Sequence, residues 1–359
     1  NINITLYHKL STVISFLGLT ASLSLFIIPI KGGVFVAEKL SVICSASTDP
    51  YYNLALEEYL LSKVCEDEVI LYLWQNDHTV VIGRNQNPWA ECRTALLLQE
   101  QGHLARRLSG GGAVYHDLGN LNFTFLCREH HYNVQKQLSV IQRAAAFAGI
   151  EASFSGRNDL LADGRKFSGN AFYHSKGHCY HHGTLLICTD VERMQRYLSP
   201  PKAKLESKGV SSVRSRVVNL QLLSPTLTCE RMKQFMSQAF GEIYGEEVRP
   251  LTLQAEALTT ILELRCNYDN ENWLYGRPFP FTCIIEGRLS FGSVQLHLQV
   301  KNGIIEDLQV FTDAMDDQLA PVICKALRGC PLHAEALKRA CRDLSYCDDL
   351  CTLFAQQIL

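Results

Sequence analysis

The stretch that decides the reading is Arg106–Asp117, RRLSGGGAVYHD: two arginines, a serine and three successive glycines, then a return to a strand-like apolar run. Successive glycines let backbone N–H groups approach a phosphate or carboxylate with no Cβ in the way. Arg106 and Arg107 add charge-assisted donors beside them. The segment is therefore an anion-binding candidate, although a triple glycine alone is more often only a loop. Two common phosphate motifs are excluded by letter. No GxxxxGK(S/T) occurs, and Gly110 with Gly112 lacks the third glycine of a dinucleotide fingerprint because position 115 is Tyr.

Working outward, NLNFTFLC alternates Leu121, Phe123 and Phe125 with polar partners and predicts a half-buried strand directly after the glycines. Upstream, VILYLWQ and TVVIGRN read as two strands joined by Asn76-Asp77-His78, which suggests a hairpin. Asp49 to Val64 has leucines at helical spacing and reads as a helix. VQKQLSVIQRAAAFAGI is a helix ending at Gly149, and YHHGTLLIC (180 to 188) is a further strand. A helix is expected near Cys229 to Tyr244, followed by a polar stretch around Asn267 to Asn272 that marks a domain boundary. Beyond it, SVQLHLQVKNGIIEDLQVF is a hairpin about Asn302-Gly303, covered by helices near 318 to 328 and 332 to 342.

The chain has 359 residues, enough for about two domains, since single cores stop growing efficiently at roughly 250 to 300 residues. With 47% hydrophobic and 19% charged residues it is not a disordered protein. A net charge of -2 supplies no global field for nucleic acid. Fourteen scattered cysteines contain no CxxC, which speaks against a zinc pattern; their place in runs such as FTFLC and LLIC reads as reduced core thiols in a reducing compartment. Residues 1-37 stand apart. Leu10 to Ile30 carries no charge between Lys9 and Lys31, the length of a membrane anchor or uncleaved signal region, so membrane contact is expected only if this leader is real and retained. A mitochondrial presequence is expected to be amphipathic and rich in Arg, whereas the first arginine here is Arg84.

Three further constellations bear chemistry. Lys166, in SGRNDLLADGRKFSGNAF, could stabilise negative charge on a transferring group if a strand end sets it near the glycine loop. Arg214 and Arg216 fall two apart and share a face if extended, behind Ser207, Lys208 and Gly209 in a turn-like setting. His181-His182 tempts a metal reading, but the pair points apart in a strand and no carboxylate accompanies it, so one histidine facing a ligand pocket is the better account and no metal site is assigned. Taken singly, the bland accounts of these stretches are a solvated lysine and a charged surface loop.

Taken together the stretches WQNDHTVVIGRNQNPWAEC, RRLSGGGAVYHDLGNLNFTF, SGRNDL, GRKFSGNA, HHGTLL and KGVSSVRSRVVNL, in that order, resemble the lipoate-protein ligase and lipoyltransferase family, strongly over Ser41 to Leu220 and more loosely from Trp273 onward. The resemblance implies an α/β (α+β) fold: a biotin/lipoyl ligase-like catalytic domain with a mixed sheet (38-268) and a small α+β accessory domain (269-359). It implies that the arginine-glycine segment binds lipoate and nucleotide. Arg107, Gly112, Ala113, Val114 and Tyr115 carry over as nucleotide contacts, Lys166 as the lysine touching the lipoyl carbonyl and the α-phosphate, and Ser207, Lys208, Gly209, Arg214 and Arg216 as the covering loop. Trp74, Arg107, Ser109, Gly110, Gly111 and His182 carry over to the lipoate tunnel, and Asn158-Asp159 to the polar pair near the adenylate, with Asp159 a candidate proton acceptor.

The implied activity is activation of lipoate with ATP and Mg²⁺ to lipoyl-AMP, then transfer to a lysine of an apo lipoyl domain, in a 2-oxoacid dehydrogenase E2 subunit or the glycine-cleavage H protein, in mitochondria. A transferase using preformed lipoyl-AMP or a lipoylated protein is the nearest alternative; SKGVSSVRSRVVNL favours the ligase form. A non-catalytic lipoyl-domain binder is the alternative of another class, opposed by retention of Lys166 and both arginine clusters. A biotin ligase would carry a GRGRxGR-like loop where RRLSGGG stands, no cysteine has the setting of an octanoyltransferase nucleophile, and nucleic-acid binding lacks interleaved aromatics.

Overall fold

Asp49 starts the first helix. Its carboxylate accepts from the amides of Tyr51 (2.9 Å) and Tyr52 (3.4 Å), Pro50 occupies the first turn and Lys63 the last, so the helix runs over Pro50–Lys63. In the computed structural model, which describes residues 39–155, 159–199, 217–277 and 279–358, this helix packs on a mixed eight-stranded sheet. The expected leader and the residues Asn158, Ser207, Lys208, Gly209, Arg214 and Arg216 lie outside the described residues. Among the described residues no helix is long and apolar enough to cross a membrane.

The large sheet uses β1 (Lys39–Cys44), β2 (Glu68–Trp74), β6 (Asn120–Arg128), β7 (Ala152–Ser155), β8 (Asp159–Ala162), β9 (Arg165–Ser175), β10 (His178–Leu186) and β11 (Val248–Pro250). Their spatial order is β11-β1-β2-β6-β10-β9-β8-β7, with β1 parallel to β2 and β11 and the other pairings antiparallel. A small sheet, ordered β4-β3-β5, uses β3 (Thr79–Ile82), β4 (His103–Arg106) and β5 (Val114–His116). A third, antiparallel, joins β12 (Cys283–Leu289), β13 (Gly292–Lys301) and β14 (Ile304–Thr312). Its β13–β14 turn places Asn302 at φ 51° and Gly303 at φ 75°, the left-handed pair that a tight hairpin needs. Helices Leu319–Leu327, Ala334–Ala340 and Cys347–Gln357 cover this sheet and close a core of their own around Leu296, Leu337 and Phe354. The last of these helices has no counterpart in the sequence reading.

Three expectations are corrected. The Asn76–His78 turn closes no hairpin: β2 bonds to β1 and β6, whereas β3 bonds to β4 and β5. All seven residues of β2 are buried, so both of its edges must find partners inside the large sheet, and the short β3 leaves for another layer. β6 is not half-exposed either. Its apolar row, Leu121, Phe123 and Phe125, packs in a core with residues of helices Val134–Phe147 and Cys229–Tyr244, while its polar residues Asn120, Asn122 and Thr124 are buried as well, Thr124 bonding Glu57 of the Pro50–Lys63 helix. The cysteines all carry free thiols, but Cys44, Cys65, Cys188 and Cys266 are exposed rather than core.

His181 on β10 is shut inside this arrangement, its Nδ1 3.1 Å from the Gln137 amide and its Nε2 2.8 Å from Asn170 Oδ1. Burial, and to a lesser degree the neighbouring His182, push its pKa down from 6.5 to about 3. The unfolded chain takes up this proton below pH 6.5 and the folded protein does not until near pH 3, so the stability is complete above 6.5 and falls through that window. Urea denaturation between pH 4 and 7 should show a slope that His181→Gln reduces by up to about 1.4 kcal/mol per pH unit.

Candidate active site

The glycine segment is the connection from β4 to β5, which flank β3 on opposite sides, so it crosses over the end of β3. Backbone bonds pin that crossing: Arg107 N–H donates to Ile82 O (3.1 Å) and Arg84 N–H to Ser109 O (2.9 Å). Arg107 holds it from inside. Its guanidinium donates to the carbonyls of Gly110 (2.7 Å), Gly112 (2.8 Å) and Val81 (3.2 Å) and, through Nε, to Ser109 Oγ (3.0 Å). Burial lowers its pKa to about 10, which leaves it cationic at neutral pH. Two of the three glycines have a reason of their own. Gly111 sits at φ 88°, and a Cβ on Gly110 would stand 2.4 Å from Ala314 O, because the segment after β14 lies directly on the loop and Ala314 O accepts Gly111 N–H at 2.9 Å.

Arg106 departs from expectation. It faces no ligand space, because its donors are spent on the carbonyls of Gly83, Arg84, Gln86, Trp273 and Leu274 at 2.6 to 3.2 Å. It is a buried tie between the small sheet and the Glu271–Tyr275 helix.

Below the glycine loop lies a cleft of about 180 Å³, bounded by the loop and the large sheet. Arg107, Gly111, Gly112, Ala113 and Val114 line it from the loop side, and Trp74, Asp159, Lys166 and His182 from the large sheet. Ser109, Gly110 and Tyr115 do not. Tyr115 alternates away from Val114 and packs against Tyr197 and, edge-on, His78 in a separate core. His116, Asn122 and Gly169 also line the cleft and Glu57 stands behind His182, none of them assigned to the site from sequence. Glu57 left a trace: it falls between Leu54 and Leu61 on the buried face of its helix, a carboxylate where packing calls for a hydrocarbon.

The inner end of the cleft is braced by a chain of bonds. Trp74 Nε1–H donates to Thr124 Oγ1 (3.1 Å), Thr124 donates to Glu57 Oε1 (2.7 Å), and His182 Nδ1 meets the same oxygen at 2.9 Å. With Nδ1–H directed at Glu57, Nε2 is left to Ser109 Oγ at 2.8 Å. This overturns the view that no carboxylate accompanies the histidine pair: helix packing brings one from 125 residues away. The order serine, histidine, glutamate has the shape of a nucleophilic triad, yet Ser109 is fully buried, does not line the cleft and takes the Arg107 Nε–H, so it braces the wall and attacks nothing. Among the described residues no three His, Cys, Asp or Glu side chains are placed to hold a metal ion.

The outer end carries the charge. Lys166 Nζ lies 2.7 Å from Asp159 Oδ1, and both side chains keep partial solvent access. β8 and β9 slip register here, Leu160 opposing Ser168 and Leu161 opposing Lys166, which makes Phe167 an extra residue. The bulge sends Phe167 into the core and sets Lys166 and Gly169, three apart, on one face. Lys166 then lies across Gly169, where a Cβ would stand 2.7 Å from Nζ.

Buried Trp74, Leu54 and His182 on one side of the cleft, and a lysine with an arginine-held glycine loop on the other, suit an amphipathic acid. Residues 49–241 match the lipoyl protein ligase A/B catalytic domain, and residues 279–357 the bacterial lipoate protein ligase C-terminus. A lipoate-protein ligase A of Bdellovibrio bacteriovorus is 41% identical over 310 residues, 84% of this chain and 91% of that protein. Among solved structures, P. falciparum LipL1 in complex with lipoate superimposes with a TM-score of 0.76 at 28% identity, covering 89% of this chain and 99% of the other. A bi-partite lipoate protein ligase of Thermoplasma acidophilum, described together with its E2 lipoyl domain, gives 0.60 at 25% identity over 69% of this chain and all of that one. The chain belongs to the lipoate-protein ligase family and is an enzyme of that class.

Gly169→Ala tests the bulge. The methyl group displaces only the far end of Lys166, so the melting temperature should stay within a few degrees of the parent while lipoyl transfer falls about 100-fold, the cost of roughly an ångström of misplacement.

Proposed function

We propose that this enzyme activates lipoate with ATP to lipoyl-AMP and transfers the lipoyl group to a lysine of apo lipoyl domains, in E2 subunits of 2-oxoacid dehydrogenases and in the H protein. The observation that carries the reading is the placement of Lys166 and Asp159 at the more exposed end of a cleft whose other end is buried behind the Arg107 loop. The lipoate-bound relative supports the substrate, and the archaeal ligase with its lipoyl domain supports the acceptor class.

A carboxylate is a poor acylating agent. Attack by a lipoate oxygen on the α-phosphorus of ATP expels pyrophosphate and leaves a mixed anhydride with a good leaving group. The acceptor amine then attacks the lipoyl carbonyl, AMP departs, and the amine proton passes to a base. Lys166 offsets the charge that develops on the phosphate in the first step and on the carbonyl oxygen in the second. Asp159 holds that ammonium at 2.7 Å and is the carboxylate nearest to receive the proton. Freeing the acceptor amine at pH 7.4 costs about 4 kcal/mol from a lysine pKa near 10.4, and desolvation at the cleft mouth lowers that cost. Magnesium enters as the counter-ion of ATP: Asp159 is the only carboxylate among the described lining residues and it is paired with Lys166, so the metal is carried by the nucleotide phosphates.

Intact-mass analysis of an apo lipoyl domain should show a lipoyl gain with lipoate plus Mg-ATP and with synthetic lipoyl-AMP, both abolished by Lys166→Ala. Gain from lipoyl-AMP alone would make the enzyme a transferase fed by another activating enzyme. Asp159→Asn should slow transfer from preformed lipoyl-AMP by about 100-fold; undiminished transfer would remove Asp159 from the proton path.

A further inference from the structure

His116 is buried to 3% exposure, lines the inner end of the cleft, and has no hydrogen-bond partner at Nε2. Its tautomer is set by amides that line no part of the cleft. Asn53 Oδ1 accepts from Ser45 Oγ (2.6 Å) and Tyr72 OH (3.1 Å), and its Nδ2 donates to the carbonyls of Ser47 (3.0 Å) and Gln75 (2.9 Å), so that amide can face only one way. The same Nδ2 donates to Asn76 Oδ1 at 2.9 Å. Asn76 is thereby oriented with Nδ2 toward His116 Nδ1 at 3.2 Å. Burial, with Arg107 and His182 nearby, keeps the His116 ring neutral, its pKa lowered to about 3. A neutral ring that accepts at Nδ1 carries its proton on Nε2.

The place of this donor follows from the sheet. His116 bonds Asn76, just beyond the end of β2, and its ring stands edge-on to Trp74 at 6.0 Å. From β2 the wall of the cleft crosses β6 and β10 to Lys166 on β9, three strand spacings or about 14 Å. An acid whose carboxylate meets Lys166 therefore delivers its tail to His116. The other polar groups at this end are spent on one another, Trp74 on Thr124 and Glu57 on Thr124 and His182, while Asn122, opposite Trp74, adds a second unpartnered Nδ2.

We propose that His116 reads the tail of the acyl chain: its Nε2–H donates to a ring sulfur of the dithiolane and separates lipoate from an unsubstituted fatty acid of the same chain length. Sulfur is a weak acceptor, but a tail with none leaves a buried donor unmatched, and sites built around a donor reject the analogue that cannot meet it. Asn53 and Asn76 are positioning residues that act through the ring. The inference rests on the ligase reading and adds its specificity determinant.

The test compares lipoate with octanoate as ATP-dependent donors to an apo lipoyl domain, and as free acids in calorimetry, for the parent enzyme, His116→Phe and Asn76→Asp. Phenylalanine keeps a ring and removes the donor. Aspartate leaves the cleft lining intact and draws the proton to Nδ1, turning a lone pair toward the tail, which ¹⁵N spectra of the imidazole report directly. Both variants should lower the lipoate-to-octanoate ratio of kcat/KM, and of affinity, by about tenfold, His116→Phe chiefly by relieving the penalty on octanoate and Asn76→Asp chiefly through weaker handling of lipoate. An unchanged ratio, with both acids still bound, would assign the Nε2–H to an ordered water and overturn the proposal. Binding of both acids with the expected ratios but no transfer would sink the ligase reading and leave the tail-reading role standing.

Discussion

A guanidinium shut away from water keeps its charge only where carbonyls surround it, and Arg107 imposes that demand on the whole glycine segment. To meet it, the chain turns the carbonyls of Gly110 and Gly112 inward and brings in that of Val81 from the neighbouring strand. The curvature this requires places Gly111 in left-handed space and strips the loop of side chains, which lets the stretch following β14 lie against it. The same arginine braces Ser109, and through it His182 and Glu57. The loop, the docking of the C-terminal sheet and the inner wall of the cleft thus depend on satisfying one buried cation. Removing a partner from such a group typically costs several kcal/mol, because an uncompensated charge remains.

The cleft is polarised along the large sheet. At the β2 and β6 end the polar groups are fully buried and largely paired, which fixes the shape of the wall before any ligand enters. At the β8 and β9 end a bulge breaks the two-residue alternation so that a lysine can lie over a glycine beside an aspartate with partial access to solvent. Rigidity at the closed end and a steerable cation at the open end suit a site where one part of a substrate is held and the other reacts.

What could be read in advance was local. Asp49 and Pro50 announce a helix because a carboxylate caps free amides whatever the rest of the chain does, and Asn302-Gly303 announces a hairpin because left-handed backbone is cheap for those residues. The ordered motifs around Arg107, Lys166 and His182 pointed to the family through their sequence alone. The misreadings share a cause. Asn76–His78 has the chemistry of a turn but the two strands beside it pair elsewhere, since hydrogen-bond partners for a strand buried on both faces come from the sheet and not from the next stretch of chain. Alternation from Val114 already set His116 on the cleft side and Tyr115 away from it, but nothing local could show that an amide 40 residues upstream decides which ring nitrogen carries the proton.

The sequence by itself determined the family and the elements with strong caps or turn residues, and it singled out Lys166 and Arg107, which the fold brings to one cleft. Tertiary structure alone decided that Arg106 is a tie rather than an anion donor, that Glu57 stands behind His182, that Phe167 bulges and turns Lys166 over Gly169, and that Ala314 caps Gly111. The physical reason is distance along the chain: a cap or a turn is satisfied within a few residues, whereas a buried charge or amide must take its partners from wherever packing delivers them.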